Sequence, residues 1–249
     1  MSAFYESDRA VAEYLLFHYG MTEEVLPSIG GPLDALGFPA RCVEFFGSLP
    51  ASGRALDVGC AVGGASFELA RTMGEVVGVD FSRRFIEAAE SLRRDGAREI
   101  EVAEEGELTR KVAIAPPPGV DPARLRFQTG DAHALPDDLG TFDAVLAANL
   151  IDRLADPRRF LARLPGLVRP GGSLVLTSPY TWLEEYTPRA NWLGGFLRDG
   201  LPVRTRKTLV EILSPHFIPE RNGNLPFLIR EHGRKFQWSV AEATLWRRR

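Results

Sequence analysis

The sequence predicts an α/β fold in which a parallel sheet carries helices on both faces. First, short apolar runs alternate with stretches of helical spacing between residues 55 and 177, which is typical of strands joined by crossover helices. Second, a glycine-rich turn separates the first of these strands from its helix. Third, polar residues follow the strand ends, where ligands bind in open parallel sheets.

The glycine turn is the best-defined local feature of the chain. Residues 55–58 form an apolar run that predicts a buried strand. Residues 59–64, GCAVGG, interrupt it, and helical spacing resumes from Ser66 to Met73. Glycines allow a ligand to approach the backbone closely, and the N-terminus of a helix offers free N–H groups. A strand, a glycine turn and a helix in this order predict a nucleotide-binding unit.

Two carboxylates accompany this unit. Asp57 lies in the first strand, beside the turn, and Asp80 ends the next apolar run 21 residues after Gly59. A carboxylate in the position of Asp80 can accept hydrogen bonds from ribose hydroxyls. Two carboxylates at the ends of adjacent apolar strands would be costly to bury without a partner, so we expect a ligand here.

Two ligands compete for the turn. The dinucleotide pattern G-x-G-x-x-G is met by Gly59, Ala61 and Gly64 only with an alanine in its middle position, where it would crowd a pyrophosphate. The pattern acidic-x-G-x-G-x-G, typical of S-adenosylmethionine (SAM) methyltransferases, runs from Asp57 to Gly63 with the same single substitution. The Asp57 carboxylate would attract the ammonium group of SAM and repel a pyrophosphate. The pattern therefore favours SAM as the cofactor.

Composition and charge exclude several classes of function. The 249 residues carry a net charge of −3, which gives no electrostatic footprint for a nucleic-acid partner, and no apolar run approaches the length of a membrane span. Glu6 and Asp8 stand where a secretory signal would be basic, so we expect a cytoplasmic protein. Cys42 and Cys60 are expected to be reduced, buried thiols, and no cysteine–histidine cluster has the spacing of metal ligands.

Residues 1–50 predict a helical cap on a single domain that spans residues 1–249. Ser7 caps a helix over residues 8–19, residues 21–38 predict a loop, and a second helix is expected over residues 39–49. The two helices either cover the cofactor or extend the core. Arg41 is either a surface charge or the fixed cation that meets the carboxylate of the cofactor.

Residues 51–180 predict the cofactor-binding core, and residues 181–249 predict a substrate segment with a closing hairpin. The elements expected beyond the glycine turn are a strand over 76–80, a helix over 82–95, a hairpin insertion over 97–123, strands over 124–128, 142–150 and 173–177, helices over 156–168 and 205–213, and antiparallel strands over 227–229 and 236–246. Asp131, just past the strand over 124–128, is either a turn residue or an acceptor for an adenine amino group.

An aromatic and polar segment, residues 178–196 (SPYTWLEEYTPRANWLGGF), follows the strand over 173–177. Its aromatic residues either pack in the core or form a pocket for a small, flat, polar substrate, because they alternate with polar residues beyond a strand end. These aromatic residues are Tyr180, Trp182, Tyr186 and Trp192.

Over nearly its whole length the chain resembles class I SAM-dependent methyltransferases. The pieces that carry the resemblance are DVGCAVGG, VVGVDFS, GDA, FDAVLAANLIDRL and RPGGSLVLTS. The resemblance implies a Rossmann-like, doubly wound sheet of seven strands that ends in an antiparallel hairpin. It also implies SAM as the cofactor, and the residues expected to bind SAM are Arg41, Asp57, Gly59, Cys60, Ala61, Gly63, Asp80, Phe81, Ser82, Asp131, Ala132 and Asn149.

Four pieces outside the cofactor motifs resemble the mercaptohistidine methyltransferases of ovothiol biosynthesis. They are YESDRAVAEYLLFHYG, FPARC, SPYTWLEEYTPRANWLGGF and RKFQWSVAEATLW. In many organisms that enzyme is the C-terminal domain of a bifunctional protein, whose partner domain is an iron-dependent sulfoxide synthase. No such domain is present in this sequence, so a separate sulfoxide synthase is expected to supply the thiol.

By that resemblance the reaction is methyl transfer from SAM to the π nitrogen of the imidazole ring of 4(5)-mercaptohistidine (5-thiohistidine). The chain mainly has to orient the two reactants, and a group that accepts a proton or selects one tautomer would assist. The candidate catalytic residues are Asn149, Asp152 and Tyr180, and the candidate substrate-binding residues are Arg153, Trp182, Glu184, Tyr186 and Trp192. Asp152, Glu184 and Tyr180 remain equal candidates for the proton acceptor.

Three alternatives stay open at this point. The chain could methylate another small molecule, or it could be a SAM-binding module without turnover. The third alternative is an NAD-dependent oxidoreductase, against which stand Asp57, Ala61 and the lack of an evident catalytic lysine, tyrosine or histidine motif.

Overall fold

The computed structural model describes residues 3–27 and 30–249, and a seven-stranded sheet organises them. The helices are α1 (Asp8–Tyr19), α2 (Thr22–Val25), α3 (Phe38–Glu44), α4 (Gly64–Ala70), α5 (Arg83–Asp95), α6 (Pro157–Leu167) and α7 (Thr205–Leu213). The strands are β1 (Arg54–Val58), β2 (Glu75–Asp80), β3 (Arg98–Glu105), β4 (Leu108–Ile114), β5 (Leu125–Thr129), β6 (Phe142–Ala148), β7 (Val168–Ser178), β8 (Phe196–Arg198), β9 (Leu201–Val203), β10 (Phe217–His232) and β11 (Lys235–Arg248).

The strand order of the main sheet is β10-β11-β7-β6-β1-β2-β5. Neighbours from β5 to β7 are parallel, whereas β11 pairs antiparallel with both β7 and β10. This arrangement confirms the predicted α/β class, the seven strands and the closing antiparallel hairpin. The chain moves outward from β1 through β2 to β5 and then returns to the other side of β1 with β6. Open parallel sheets bind ligands beside such a reversal, beyond the carboxyl ends of the strands.

The strands are buried on both faces of this sheet. Ala55 packs in the apolar cluster that includes residues of α1, α3, α4 and α5, and its neighbour Leu56 packs in the opposite cluster with residues of α6 and α7. Successive side chains of a strand point to opposite faces. A strand covered by helices on both faces must therefore be a continuous apolar run, which is the pattern that predicted β1.

Side-chain caps fix the helices that flank the cofactor motifs. The Ser7 hydroxyl accepts a hydrogen bond from the Ala10 N–H (3.1 Å), and the Ser82 hydroxyl accepts one from the Phe85 N–H (3.1 Å). Each cap satisfies one of the N–H groups that a helix start leaves unpaired. Both caps were predicted from the sequence and are confirmed.

A hairpin lies within residues 97–123, the range of the predicted insertion. Strands β3 and β4 form a separate two-stranded sheet in which Ile100 pairs with Val112. Arg230 of β10, whose side chain is 1% exposed, forms an ion pair with Glu104 of the insertion and donates to the Glu24 carbonyl (2.7 Å). The insertion is thereby fixed to the terminal hairpin.

The structure differs from the prediction mainly in the irregular regions. The expected loop over residues 21–38 contains α2 and a short 3-10 turn at Leu33–Ala35, while Ser28 and Ile29 lie outside the described residues. The second helix of the cap ends at Glu44 rather than near residue 49. The two cysteines are free and buried, as predicted.

The terminal hairpin is longer than predicted, because β10 runs over 16 residues instead of residues 227–229. It pairs with β11 along nearly its whole length. Pro219 and Pro226 obscured it in the sequence, but β10 is the edge strand, where a proline need not donate to a neighbour. The small β8–β9 hairpin was not predicted.

Candidate active site

A cavity of about 660 Å³ opens at the carboxyl ends of β1, β2, β5 and β6. The segments that follow these strands line it, namely residues 59–61, Phe81, residues 130–133 and residues 149–150. Its volume lies in the range of about 300–1,000 Å³ that small-molecule sites occupy. The cavity therefore lies at the edge of the sheet where the sequence predicted that a ligand binds.

The glycine turn has backbone angles that few residue types adopt. Gly63 has a φ of +88°, and a Cβ atom there would lie 2.7 Å from the Phe127 ring. Ala61 also has a positive φ, +47°, which is uncommon for a residue with a side chain. The Ala61 N–H donates to the Asp80 carboxylate (2.9 Å), so β2 holds the turn in this conformation.

Asp57 is the fourth residue of β1, is 1% exposed and lines the cavity. Its Oδ2 atom accepts a hydrogen bond from the Ser66 hydroxyl (2.6 Å). Burial, with a smaller contribution from the charge of Asp80, raises the pKa of Asp57 to about 7. A cation bound beside this carboxylate would restore its ionised form.

Asp80 ends β2 and accepts two backbone hydrogen bonds, from the N–H groups of Ala61 (2.9 Å) and Ser82 (2.8 Å). These bonds fix the carboxylate at the mouth of the turn, and each oxygen retains a lone pair for a hydroxyl group. Burial outweighs them and raises the pKa of Asp80 to about 6.

Asp131 is oriented by His133. Its Oδ1 atom accepts hydrogen bonds from the backbone N–H and the ring Nδ1 of His133, both at 2.8 Å. The Nε2 atom of the same ring accepts from the Asp156 N–H (3.1 Å), so Nδ1 carries the proton. Burial raises the pKa of Asp131, but the hydrogen bonds from His133 outweigh it and hold that pKa below its usual value.

Asn149 follows β6 with a φ of +51° and is fixed by Thr177 of β7. The Thr177 hydroxyl accepts from the Asn149 N–H (3.0 Å) and donates to the Asn149 Oδ1 atom (2.9 Å). Since Oδ1 is engaged, the Nδ2 group is the part of this amide that can donate to a ligand in the cavity.

Arg153 also lines the cavity, and buried Asp152 positions it. The Asp152 carboxylate, 0% exposed, accepts from the Ser178 hydroxyl (2.8 Å) and from Nη1 of Arg153 (2.8 Å). The Arg153 guanidinium lies 4.8 Å from the centre of the Tyr186 ring. A half-buried cation held in this way is suited to bind a carboxylate.

Helix α1 supplies another wall of the cavity, and its C-terminal end contacts the glycine turn. The Nδ1 atom of His18 accepts from the Gly64 N–H at the start of α4 (3.0 Å), and burial lowers the pKa of His18 to about 3. The ring is therefore neutral with its proton on Nε2. Tyr14 packs against Phe85, with ring centres 4.8 Å apart.

The structure brings most of the predicted cofactor residues together at the cavity. The predicted site residues that line it are Asp57, Gly59, Cys60, Ala61, Asp80, Phe81, Asp131, Ala132, Asn149, Arg153 and Tyr186. The predicted site residues outside the lining are Arg41, Gly63, Ser82, Asp152, Tyr180, Trp182, Glu184 and Trp192. Gly63 and Ser82 shape the turn and the start of α5, as described above.

Arg41 is engaged away from the cavity. Its Nε atom donates to the Leu36 carbonyl (3.0 Å), and its Nη2 atom donates to the Pro226 carbonyl. These bonds tie α3 to β10, so the expected contact with the cofactor carboxylate is not supported by the position of this side chain.

The aromatic segment divides between the core and the cavity. Trp182, 7% exposed, stacks on Trp192 with ring centres 6.5 Å apart, and both indole N–H groups donate within the protein. The Tyr180 hydroxyl donates to Glu242 (2.8 Å), and Glu184 is exposed. The core interpretation thus holds for the tryptophans, whereas Tyr186 faces the cavity.

Sequence reasoning missed a second set of lining residues. They come from α1 and its N-terminal flank, α3, β10 and β11: Tyr5, Glu13, Tyr14, Phe17, His18, Phe38, Pro39, Phe227, Ile229, Gln237 and Ser239. The sequence does place Glu13 four residues before Phe17, and Tyr14 four residues before His18, so each pair lies on one face of a helix. Nothing in the sequence indicated that this helix faces the terminal hairpin.

The cofactor side of the cavity fits SAM. Two carboxylates with raised pKa values lie beside the turn, of which Asp57 is buried and Asp80 is partly buried. A ligand with an ammonium group and ribose hydroxyls would provide both with partners. A pyrophosphate would instead bring negative charge against Asp57.

Comparisons with known proteins agree with this geometry. Residues 56–176 match a family model described as "Methyltransferase domain". The chain is 28% identical over 123 residues to a ubiquinone biosynthesis O-methyltransferase of Coxiella burnetii, covering 49% of this chain and 42% of that protein. It is 28% identical over 124 residues to norajmaline N-methyltransferase of Rauvolfia serpentina, covering 49% and 35%. The chain spans less than half the length of the curated relatives it matches.

A solved structure extends the likeness of the fold to almost the whole chain. The N-methyltransferase NodS of Bradyrhizobium japonicum, in complex with S-adenosyl-L-homocysteine (SAH), aligns with a TM-score of 0.53 and 14% identity over 96% of this chain and 98% of that one. Residues 56–176 thus match a methyltransferase domain, and the chain around them has the fold of a SAM-dependent methyltransferase, so these likenesses support an enzyme of that class with SAM as its cofactor. The predicted fold, enzyme class and cofactor are thereby confirmed.

None of the helices in residues 3–27 and 30–249 has the length and apolarity that crossing a bilayer would require. Within the same ranges, no group of three histidine, cysteine or acidic side chains is placed to hold a metal ion.

Proposed function

We propose that the chain transfers the methyl group of SAM to the π nitrogen of the imidazole ring of 4(5)-mercaptohistidine, forming ovothiol A. One observation carries this proposal: the segments that resemble the mercaptohistidine methyltransferases supply the walls of the cavity outside the cofactor motifs. Those segments cover residues 5–20, 38–42, 178–196 and 234–246, and each contributes residues to the lining. The resemblance is therefore concentrated where an acceptor would be recognised.

In this proposal each polar group of SAM has a partner among the residues on the cofactor side of the cavity. Asp80 accepts from the ribose hydroxyls, and Asp131, oriented by His133, accepts from the adenine amino group. Asp57 binds the ammonium group. The Nε2–H group of His18 faces the same cavity and can donate to the carboxylate of the methionine moiety, the role first expected of Arg41.

Bound SAM supplies a methyl group on a sulfonium that leaves as SAH. The chain's own residues then have to orient an imidazole nitrogen toward that methyl group. Arg153 binds the carboxylate of the amino acid, and Asn149 donates from Nδ2 beside the reacting groups. Well-aligned encounter of two bound reactants can supply roughly 7–11 kcal/mol of the barrier. Asp152 acts through Arg153 as a positioning residue, since its carboxylate is engaged by Ser178 and Arg153.

The same proposal includes a source for the substrate and a location. The sulfur-bearing ring would come from a sulfoxide synthase. The reaction would take place in the cytoplasm, where a free thiol remains reduced.

The test is a direct assay of turnover. The purified chain is incubated with SAM and, separately, with mercaptohistidine, histidine, a phenol and a simple heteroaromatic amine, and the products are detected by mass. We expect methylation of mercaptohistidine on the π nitrogen at a rate far above that of histidine. Equal rates for histidine and mercaptohistidine would contradict the proposed substrate, and turnover of the phenol alone would identify an O-methyltransferase instead.

A further inference from the structure

The cavity extends beyond the cofactor residues into a space between α1, α3 and the terminal hairpin. In the antiparallel register, Phe227 lies opposite Ser239, and Ile229 lies opposite Gln237. Residues directly opposite each other share one face of a sheet, as do residues two apart on one strand. All four line the cavity, so this face of the hairpin forms one of its walls.

Aromatic rings cover the middle of this space. The ring centre of Phe38 lies 5.0 Å from that of Phe227, and Phe17 lies 5.9 Å from Phe38 and 6.1 Å from Phe227. The three rings come from α1, α3 and β10. Together they offer an apolar surface against which a flat ring can pack.

A carboxylate, Glu13, lines the cavity together with these aromatic rings. Glu13 of α1 is 8% exposed, and its side chain lines the cavity. Its Oε1 atom accepts from Nε of Arg9 (2.7 Å), whose side chain is 61% exposed. No hydrogen bond to Oε2 of Glu13 occurs among the described residues. Oε1 is thus bound by an exposed arginine, while Oε2 is available to a ligand in the cavity.

We propose that this space is the acceptor subsite and that Glu13 accepts a hydrogen bond from the ring N–H of the acceptor, on the side opposite to the nitrogen that receives the methyl group. The inference rests on the proposed methyl transfer to a ring nitrogen but not on the identity of the ring. It assigns a specificity-determining role to a residue outside the cofactor motifs.

The chemistry explains why a carboxylate is placed there. An imidazole ring carries one proton, and the nitrogen to be methylated must present its lone pair. Glu13, which only accepts when ionised, binds the tautomer whose proton lies on the other nitrogen. In the reaction the N–CH₃ bond forms, the CH₃–S bond breaks with its electron pair moving to sulfur, and the ring gains a positive charge. The Glu13 carboxylate stabilises that charge, so no proton needs to leave during the step.

The first experiment compares Glu13→Gln with Arg9→Gln. We expect Glu13→Gln to raise the KM for the acceptor by roughly 5- to 10-fold, the difference between a charged and a neutral hydrogen bond, because the amide oxygen can still accept. Its dissociation constant for SAH should stay within about twofold of the wild type, because the hydrogen-bond partner of Glu13 is Arg9 and none of the residues assigned to the cofactor. Arg9→Gln breaks the same ion pair from the exposed side and should leave the KM for the acceptor nearly unchanged. An equal rise of KM in both variants would assign Glu13 to the ion pair and overturn the proposal.

The second experiment measures binding without turnover. Acceptor and an analogue methylated on the opposite ring nitrogen are titrated by calorimetry into the SAH-bound protein. The analogue lacks the ring N–H, so the wild type should bind it about 10- to 100-fold more weakly, and Glu13→Gln, which keeps only a neutral acceptor, should discriminate between the two ligands several-fold less. Undiminished discrimination by Glu13→Gln would contradict the role of Glu13.

The test also covers a variant that does not fold and an acceptor other than mercaptohistidine. If Glu13→Gln does not fold, Glu13→Asp replaces it, since a carboxylate one methylene shorter keeps the charge and should weaken acceptor binding to an intermediate degree. Unchanged acceptor affinity in Glu13→Asp would then refute the proposal. The ring acceptor is whichever member of the substrate panel the wild type methylates. If that is not mercaptohistidine, the proposed substrate fails, while the comparison of Glu13→Gln with Arg9→Gln still decides the role of Glu13.

Discussion

Replacement of Asp57 by asparagine separates the charge of this residue from its shape. The side chain is buried, and asparagine can still accept the hydrogen bond from the Ser66 hydroxyl. What is lost is the negative charge that we expect to face the ammonium group of the cofactor. A hydrogen bond to a charged group contributes about 1.5–3 kcal/mol, so SAH should bind Asp57→Asn roughly 10- to 150-fold more weakly.

The pH dependence gives a sharper result than the affinity alone. In the free protein the pKa of Asp57 is about 7 and that of Asp80 about 6. Binding of a cation requires ionised Asp57. Affinity must therefore fall as the pH drops through these pKa values, because the free protein takes up protons that have to leave on binding. Between pH 7.5 and pH 6, wild-type affinity for SAH should fall by roughly tenfold or more, whereas Asp57→Asn, which retains only Asp80, should lose about twofold. The amino group of the ligand remains protonated in this window.

Calorimetry in two buffers of different ionisation enthalpy measures both the affinity and the protons released. Asp143→Asn is the matched control, because Asp143 is a buried aspartate (8% exposed) that accepts from the Arg54 N–H (2.8 Å) outside the cavity. It should leave the binding of SAH and its pH profile unchanged. A wild-type affinity that is flat from pH 6 to 7.5, or a profile of Asp57→Asn as steep as that of the wild type, would refute the assignment of Asp57 to the ammonium group.

Asp57→Asn should also affect the stability of the free protein in a defined direction. A carboxyl group whose pKa is raised on folding favours the folded state most at low pH, and this contribution is lost as the pH rises through the folded-state pKa. Above pH 7 the free protein buries an ionised Asp57 at a cost. The melting temperature of Asp57→Asn at pH 8 should therefore equal or exceed that of the wild type, which shows that weaker binding does not come from unfolding.

Three further predictions follow from the same geometry. Asp80→Asn should weaken SAH binding by roughly 10- to 150-fold in calorimetry, and a change below twofold would separate Asp80 from the ribose. Arg41→Ala should lower the melting temperature because two carbonyl groups lose their donor, while SAH affinity stays within about twofold; the reverse pattern would return Arg41 to the cofactor. Gly63→Ala should destabilise the protein by at least about 2 kcal/mol in denaturant unfolding, from a positive φ and the Phe127 ring. The control Gly166→Ala, where a Cβ meets no atom within 4 Å, should not destabilise it.

The cofactor side was predictable because its determinants are local in sequence. The strand, the turn and α4 lie within residues 54–70, and the turn requires backbone angles that glycine supplies at Gly59 and Gly63. Asp80 is fixed to the same turn by its bond to the Ala61 N–H. Each of these features restricts which residue types can occupy its position, so it can be recognised in a single sequence.

The acceptor side could not be predicted in this way, because its residues meet only in the folded chain. Phe17 and Phe227 lie 210 positions apart and touch across the cavity. An apolar residue on one helix face carries no information about which strand it will contact. For the same reason, the aromatic residues after β7 could not be divided beforehand into the tryptophans that pack on the core and Tyr186 at the cavity.

The two sides of the cavity depend on different parts of the fold. The cofactor residues follow the parallel strands, which are buried on both faces, whereas the acceptor wall is formed by α1 and the edge hairpin. Contacts of α1 and the β3–β4 insertion with β10, such as the ion pair between Glu104 and Arg230, hold that wall, and α1 meets the glycine turn only at its C-terminal end, where His18 accepts from the Gly64 N–H. Substitutions in the acceptor wall away from this end of α1 can therefore change which ring is bound while the cofactor site stays intact, because residues without shared partners behave nearly independently. This separation makes the test of Glu13 and the test of Asp57 independent of each other.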